Sequence, residues 1–421
     1  MKKYKEAISV IGLGYAGLAT AVGFGLKGHR VIGIDINQEK VDLINKRDSP
    51  IFEKSITESL SKVEIYATTD YDAILHSNIS FICVETPSNE DGSISLETIK
   101  EATKCIAEVL RKKETYHLIV VKSTIVPSTT EEVIIPLLQI SRKLKGEEFG
   151  VCVNPEFLRE GNALHYFLNP DRIVIGELNK HSGDILEKVF KDFNAPILRT
   201  DLKTAEMIKY VSNAFLATKV SFINEIGNLC KRIGIDVYKL ADGMGYDERI
   251  GRKFLNAGVG VGGSCLPKDL KALIAKSREK GYEPGILQAV LDLNRSQPLR
   301  AIELLKKHIP ELKGKDIGLL GLSFKPKTDD IRDSSAIPIV EALLREGANV
   351  KAYDPAAMPN FAMLFPQIQY VDPTEVLNCE AVVIVTEWDE FNSLNYEGKI
   401  VIDGRRIEKA REAKIYEGIC W

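Results

Sequence analysis

Ala7-Ile8-Ser9-Val10-Ile11-Gly12-Leu13-Gly14-Tyr15-Ala16-Gly17 opens the chain, and its reading decides the fold. An apolar run suited to a buried strand leads into the pattern G-x-G-x-x-G, and small residues that favour a helix continue to Leu26. A second apolar strand, Arg30 to Ile34, ends on Asp35, which lies 18 residues after Gly17. Strand, glycine turn, helix, strand and acid, in that order, make the dinucleotide-binding unit of a Rossmann fold. The glycines let the backbone approach a pyrophosphate, whose charge the helix N-terminus stabilises. Asp35 suits ribose hydroxyls and would repel a 2′-phosphate, and Ile36 and Asn37 stand where an arginine would otherwise neutralise it. NAD is therefore expected rather than NADP. The competing reading is a Rossmann unit that has lost its ligand.

Outward from this unit, strand and helix patterns alternate to about residue 200. Apolar runs at 79–84, 118–121, 150–153 and 172–175 predict further strands of a parallel, doubly wound sheet. Asp201-Leu202-Lys203-Thr204-Ala205-Glu206 reads as the N-cap and first turn of a long helix reaching about Ile233, with shorter helices to about His308. Strand patterns return at 316–321, 350–354, 381–385 and 400–403. The expected fold is α/β, with two Rossmann-like doubly wound sheets joined by a central helical domain. The boundaries expected are 1–200, 201–308 and 309–421. A long central helix has apolar surface to cover on more than one side, which predicts a homodimer formed through it.

The chain is long enough for two or three domains at 421 residues, and 44% hydrophobic with 27% charged residues is ordinary for a globular protein. A net charge of −3 suggests neither a nucleic acid nor an anionic membrane as partner. No apolar run reaches the ~18 residues of a membrane span. The basic start at residues 1–6 runs straight into the first strand, so no secretory signal is expected. The seven cysteines, at 83, 105, 152, 230, 265, 379 and 420, are scattered without a CxxC pair, and the six histidines show no ligand spacing. That argues for a reducing cytoplasm and against disulfides or a bound metal.

A second motif lies far from the first. In Gly262-Gly263-Ser264-Cys265-Leu266-Pro267-Lys268-Asp269 a cysteine follows a bulk-free run and precedes a helix start. Pro267 falls in the first turn, where its missing N–H is not needed. A thiol at that place meets the positive end of the helix, which favours the nucleophilic thiolate. Asp269 lies on the same helical face as Cys265. On its own, such a cysteine is ordinarily a buried, inert one.

Taken together, these motifs resemble the UDP-glucose/GDP-mannose dehydrogenase family over nearly the whole chain. The resemblance rests on Gly12 to Gly17, Cys83-Val84-Glu85-Thr86-Pro87-Ser88, Lys122-Ser123-Thr124, Asn154-Pro155-Glu156-Phe157-Leu158-Arg159-Glu160-Gly161 and Asn169-Pro170-Asp171-Arg172. It continues through the cysteine motif, Gly321-Leu322-Ser323-Phe324-Lys325-Pro326 and Asp403-Gly404-Arg405-Arg406. It implies oxidation of a nucleotide-sugar's C6 alcohol to a carboxylate, with two NAD⁺ and no release of aldehyde.

The resemblance also implies roles. Cys265 would form a thiohemiacetal and then a thioester. Lys209 and Asn213, one turn apart on the long helix, would stabilise an oxyanion. Glu156 would do acid–base work in thioester hydrolysis, with Glu160 near the cofactor. Read as ordinary surface groups, these glutamates would instead cap a helix or pair with Arg159 or Arg172. Thr124 and Asp269 would hold the water that takes the alcohol proton. The cofactor set is Gly12, Gly14, Tyr15, Ala16, Gly17, Asp35, Lys40, Val84, Thr86, Pro87, Ser123, Thr124, Glu160, Lys268 and Arg332. The substrate set adds Phe157, Leu158, Phe254, Leu255, Asn256, Gly262, Lys325 and Arg405, the last suited to a diphosphate. Arg249 would reach the neighbouring subunit's site. No metal is expected.

Three departures stand out. Glu85 replaces a glycine common in the family, Gly258-Val259-Gly260-Val261 replaces a proline and an aromatic, and Ile125-Val126-Pro127-Ser128 follows Thr124. The two valines are expected to reshape the sugar pocket. The text around Cys265 resembles the glucose and GDP-mannose branches of the family and residues 247–255 resemble the glucose branch more, which implies UDP-glucose as substrate, with GDP-mannose or a UDP-N-acetylhexosamine as alternatives. Two other classes remain open: a two-electron dehydrogenase of the β-hydroxyacid type, and a non-catalytic nucleotide-sugar sensor.

Overall fold

A computed structural model describes residues 4–421, and the chain divides between Ser212 and Asn213 into two compact units.

The first unit is built on β1 (Ala7–Ile11), β2 (Arg30–Ile34), β3 (Ile65–Thr68), β4 (Ile79–Ile82), β5 (His117–Val121), β6 (Phe149–Val153), β7 (Ile173–Glu177) and β8 (Ile197–Thr200). Their order across the sheet is β3-β2-β1-β4-β5-β6-β7-β8. The order reverses between β1 and β4, the switch point at which doubly wound sheets bind ligands. Ile11 pairs with Ile34 on one side and Ile82 on the other, so Gly12, Asp35 and Cys83 leave the sheet at the same edge. The residues of β4, β5 and β6 are buried throughout, because helices cover both faces of a parallel sheet. Phe24, on the helix Tyr15–Leu26, packs on Phe81 at 4.9 Å and Phe167 at 5.0 Å, which seats that helix beneath the glycine turn.

Every pairing is parallel except β6–β7, where Cys152 faces Glu177 and Val153 faces Gly176. This departs from the all-parallel sheet expected. The connection, residues 154–172, contains the short helix Ala163–Leu168 and brings the chain back beside β6 in the opposite direction.

The second unit holds β9 (Asp316–Leu320), β10 (Asn349–Tyr353), β11 (Gln369–Tyr370), β12 (Ala381–Ile384), β13 (Ile400–Asp403) and β14 (Ile415–Gly418). All are parallel, in the order β11-β10-β9-β12-β13-β14, which repeats the Rossmann pattern. Ile223, Tyr238 and Leu305 share one core cluster with Ile317, Leu319 and Val383, so the helices of residues 213–308 pack on this sheet. The fold class expected from the sequence is the one the chain adopts.

The long helix is Leu202–Ile233, 32 residues. Asp201 Oδ1 accepts the Thr204 N–H at 2.9 Å, the N-cap expected from the sequence. Among the described residues no helix is long and apolar enough to cross a membrane.

Candidate active site

The turn after β1 is shaped by what glycine lacks. Gly12 has φ +88°, and a Cβ on Gly17 would fall 1.7 Å from the Gly12 carbonyl oxygen. Gly14 precedes the helix Tyr15–Leu26 and offers it no side-chain cap. Nothing lies within 4 Å of where a Gly14 Cβ would stand. The first N–H groups of the helix, at Tyr15, Ala16 and Gly17, therefore border an open cradle that suits a phosphate anion. Asp35 ties the turn to β2: its Oδ2 accepts the Leu13 N–H at 2.7 Å and its Oδ1 the Asn37 N–H at 2.9 Å. Lys40 lies in the following helix, Gln38–Asn45.

The loops after β4 and β5 are tied together. Ser123 Oγ donates to the Val84 carbonyl at 2.6 Å, and Thr86 Oγ1 donates to the Thr124 carbonyl at 2.8 Å. Val84, Thr86, Pro87, Ser123 and Thr124 thus gather beside the glycine turn, where a Gly12 Cβ would meet the Cys83 carbonyl at 2.9 Å. An open cradle, an acid at the end of β2 and polar loops at the switch point fit a dinucleotide.

Glu156 follows β6. Its Oε1 accepts from Lys209 Nζ at 2.8 Å and its Oε2 from the Leu158 N–H at 2.6 Å. Burial pushes the Glu156 carboxyl up, but the Lys209 charge and hydrogen bond, the Leu158 N–H and the Lys122 charge outweigh it and hold it below the usual carboxylate range. The partner of Glu156 is Lys209. The Arg159 guanidinium lies 4.4 Å from the Tyr166 ring, and that of Arg172 lies 3.7 Å from the Phe157 ring and donates to Ser212 Oγ. Leu158 and Glu160 are half-buried on the same loop. Two neighbours escaped the sequence reading: Lys122 and Asn154, both buried and joined at 2.9 Å. Both stood inside quoted motifs, but nothing in a sequence marks a lysine or an asparagine as buried.

In the second unit, Cys265 is the N-cap of the helix Leu266–Glu279, with Pro267 in its first turn as expected. Cys265 is exposed, whereas Cys83, Cys152, Cys230, Cys379 and Cys420 are buried and Cys105 is half-buried. Burial pushes the Cys83 and Cys420 thiols up to about 12, so they are inert. The ordinary fate of a cysteine therefore describes most of the others and not Cys265. Asp269, at 1% exposure, accepts from Asn213 Nδ2 at 2.6 Å and from Lys268 Nζ at 2.8 Å. In this state Lys209 is engaged by Glu156 and Asn213 by Asp269.

Around residues 254–263 the chain runs close to its neighbours. Phe254 adopts φ +64°, and a Cβ on Gly262 would meet the Asp333 carbonyl oxygen at 2.4 Å. Leu255 is buried, and Asn256 accepts from Arg252 at 2.8 Å. Val259 does not line a pocket. It is fully buried in the core, and a Gly404 Cβ would lie 2.4 Å from its Cγ1. The pocket-reshaping expected of it is thereby corrected; Val261 is half-buried, and Asn294 grips both its N–H at 2.8 Å and its carbonyl at 2.9 Å. Asn294 was missed because side-chain amides gripping a loop leave no spacing signature.

Arg405 follows β13, where Nε donates to the Val385 carbonyl at 2.7 Å and pairs with Glu387 at 3.2 Å. Lys325 is half-buried near the Phe324 ring. Arg249 is exposed and pairs with Asp247 at 2.6 Å; Arg332, also in the second unit, pairs with Asp330 at 2.6 Å. Among the described residues, no group of histidine, cysteine and acid side chains could hold a metal.

Comparison with known proteins matches the chain to three family models in sequence order. Residues 6–194 match the NAD binding domain of the UDP-glucose/GDP-mannose dehydrogenase family, 203–296 its central domain and 318–410 its UDP binding domain. The chain is 44% identical to the UDP-glucose 6-dehydrogenase AglM of Haloferax volcanii, over 98% of this chain and 99% of that one. It is 38% identical to the GDP-mannose 6-dehydrogenase of Pseudomonas syringae pv. syringae, over 98% and 100%. Among solved structures, a UDP-glucose dehydrogenase from the hyperthermophilic archaeon Pyrobaculum islandicum is 41% identical with a TM-score of 0.96, covering 100% of this chain and 98% of that one. A UDP-D-ManNAc dehydrogenase from Pyrococcus horikoshii is 30% identical with a TM-score of 0.88, covering 98% and 99%.

Proposed function

The chain belongs to the UDP-glucose/GDP-mannose dehydrogenase family and is an NAD-dependent nucleotide-sugar dehydrogenase, and on that premise we propose that it oxidises UDP-glucose to UDP-glucuronate through a covalent bond to Cys265. The observation that carries the reading is an exposed cysteine at a helix N-terminus, above a buried Asp269 held by two donors. The choice of UDP-glucose is supported by relatives of 40–44% identity that bear that substrate in their names, against 38% for GDP-mannose enzymes.

NAD⁺, when bound on Gly12–Gly17 and Asp35, accepts the hydride that each oxidation removes from the sugar's C6. In the first oxidation the alcohol proton passes to a water held by Thr124 and Asp269. The Cys265 thiolate then adds to the aldehyde carbon, so the aldehyde is never free, and the positive end of its helix favours that thiolate. Lys209 and Asn213 donate to the oxyanion that this addition creates. After the second oxidation Glu156 takes a proton from the water that attacks the thioester, which releases the acid and returns the thiol. Arg405, Lys325, Phe254, Leu255, Asn256, Gly262, Phe157 and Leu158 form the proposed substrate contacts. Lys268, Arg332 and Glu160 complete the proposed cofactor contacts.

The three-part division at 1–200, 201–308 and 309–421 belongs to the same reading, supported by where the three family matches begin and end. So does a homodimer: Phe215, Phe222, Leu229 and Ile233 are exposed along one helix at spacings of seven and four. Arg249, exposed beside Asp247, would reach the partner's site. A cytoplasmic location is supported by cysteines that are scattered rather than paired.

The test is a panel of UDP- and GDP-sugars with NAD⁺. UDP-glucose should give the highest kcat/KM and two NADH per sugar consumed. One NADH with a ketone product would favour the β-hydroxyacid type, tight binding without turnover would favour a sensor, and a higher kcat/KM for another sugar would overturn the substrate.

A further inference from the structure

Lys122 is the first residue after β5 and is 5% exposed. Its Nζ donates to Asn154 Oδ1 at 2.9 Å, and Asn154 is itself fixed by a 2.9 Å bond from Nδ2 to the Val174 carbonyl. An ammonium has three protons to place, and Asn154 takes one. Lys122, Asn154 and Glu156 line one cavity of about 40 Å³, room for a water to bridge them. The other charged groups lining it are Asp171 and Arg172. Cys83, also near Lys122, is kept neutral by burial.

Lys122 and Lys209 are buried, and the Glu156 side chain beside them is 12% exposed. The proposed chemistry adds an oxyanion, to which Lys209 donates. Lys209 is however bound to Glu156 at 2.8 Å, so serving the oxyanion means leaving the carboxylate. Glu156 would then lose its nearest cation just before it must act as a base.

We propose that Lys122 is the standing counter-charge of Glu156, a positioning residue that keeps this carboxylate ionised when Lys209 turns to the substrate. This rests on the roles proposed for Lys209 and Glu156. Burial and the Lys209 charge lower the Lys122 pKa on balance, and the Glu156 charge works against them, the mutual coupling this role needs.

The experiment follows the Glu156 carboxylate band by infrared difference spectroscopy against Glu156→Gln, in the full-length enzyme, for the wild type, Lys122→Met and Lys122→Arg. In Lys122→Met the band should titrate about one pH unit higher or more, and the acid limb of kcat should move with it, while KM for the sugar stays within about twofold. Lys122→Arg should restore both. Should Lys122→Met not fold, Asn154→Asp draws the ammonium away without removing it and should move the band the same way. An unmoved band in a folded variant overturns the proposal. Normal acid production by Glu156→Gln would instead sink the hydrolytic role of Glu156, and the band shift would still decide whether Lys122 is its counter-charge.

Discussion

Asn213 and Asp269 share a 2.6 Å hydrogen bond, Nδ2 to Oδ2, between the long helix and the helix that Cys265 caps. The bond orients a carboxylate with almost no access to water, whose other oxygen takes Lys268. Replacing Asn213 by Asp sets two carboxylates at that spacing. One must bind a proton, so the pair's upper pKa rises above the unfolded value. Stability is then retained at low pH and lost as pH rises through that raised pKa. At pH 8 we expect Asn213→Asp to lose about 2–5 kcal/mol in urea unfolding, with much of it regained at pH 5. A loss that does not depend on pH would contradict the buried pair.

The glycine turn gives a paired prediction. Gly14→Ala meets nothing within 4 Å, so it should fold with a Tm within a few degrees of the wild type. Its methyl group enters the cradle beside the helix N-terminus, so KM for NAD⁺ should rise about tenfold or more. Gly17→Ala drives a methyl into the Gly12 carbonyl and should lower Tm as well. Unchanged KM for NAD⁺ in Gly14→Ala would place the pyrophosphate elsewhere.

Glu206, on the long helix, accepts the Ser128 N–H at 2.7 Å and the Thr130 N–H at 2.8 Å. Burial raises its carboxyl pKa to about 7, against those hydrogen bonds. The unfolded chain gives up this proton near 4.5 and the folded protein near 7, so between those values the folded state binds more protons. Its contribution to stability is therefore present at low pH and lost as pH rises, by up to about 3 kcal/mol. Urea unfolding of Glu206→Gln should show a shallower fall than the wild type between pH 5 and 7.5. Equal slopes would assign the fall to other groups.

Much of this is legible in the sequence alone. Buried parallel strands are apolar throughout, so β1, β4, β5, β9 and β12 announce themselves, and fixed glycine spacing marks the turn. β3, β8, β11 and β14 were missed: all four are short, lie at sheet edges and carry polar residues that break the pattern. The antiparallel pairing of β7 is a matter of strand direction, which periodicity does not encode. Cys265, Asp269, Lys209 and Asn213 were named from motif and helical spacing. Their present partners, Glu156 for Lys209 and Asp269 for Asn213, are contacts between distant segments that no spacing rule supplies. Val259 was misread because a departure from a family pattern reveals a change without revealing which way the side chain points.

The covalent role of Cys265 is probed by Cys265→Ser, assayed with UDP-glucose and NAD⁺. A serine oxygen can add to the aldehyde but forms an ester that hydrolyses far more slowly than a thioester. UDP-glucuronate release should therefore fall by about 10³-fold or more, and intact mass spectrometry of the quenched variant should find the sugar acyl group attached at residue 265. Wild-type rates of UDP-glucuronate release, with no adduct, would contradict it.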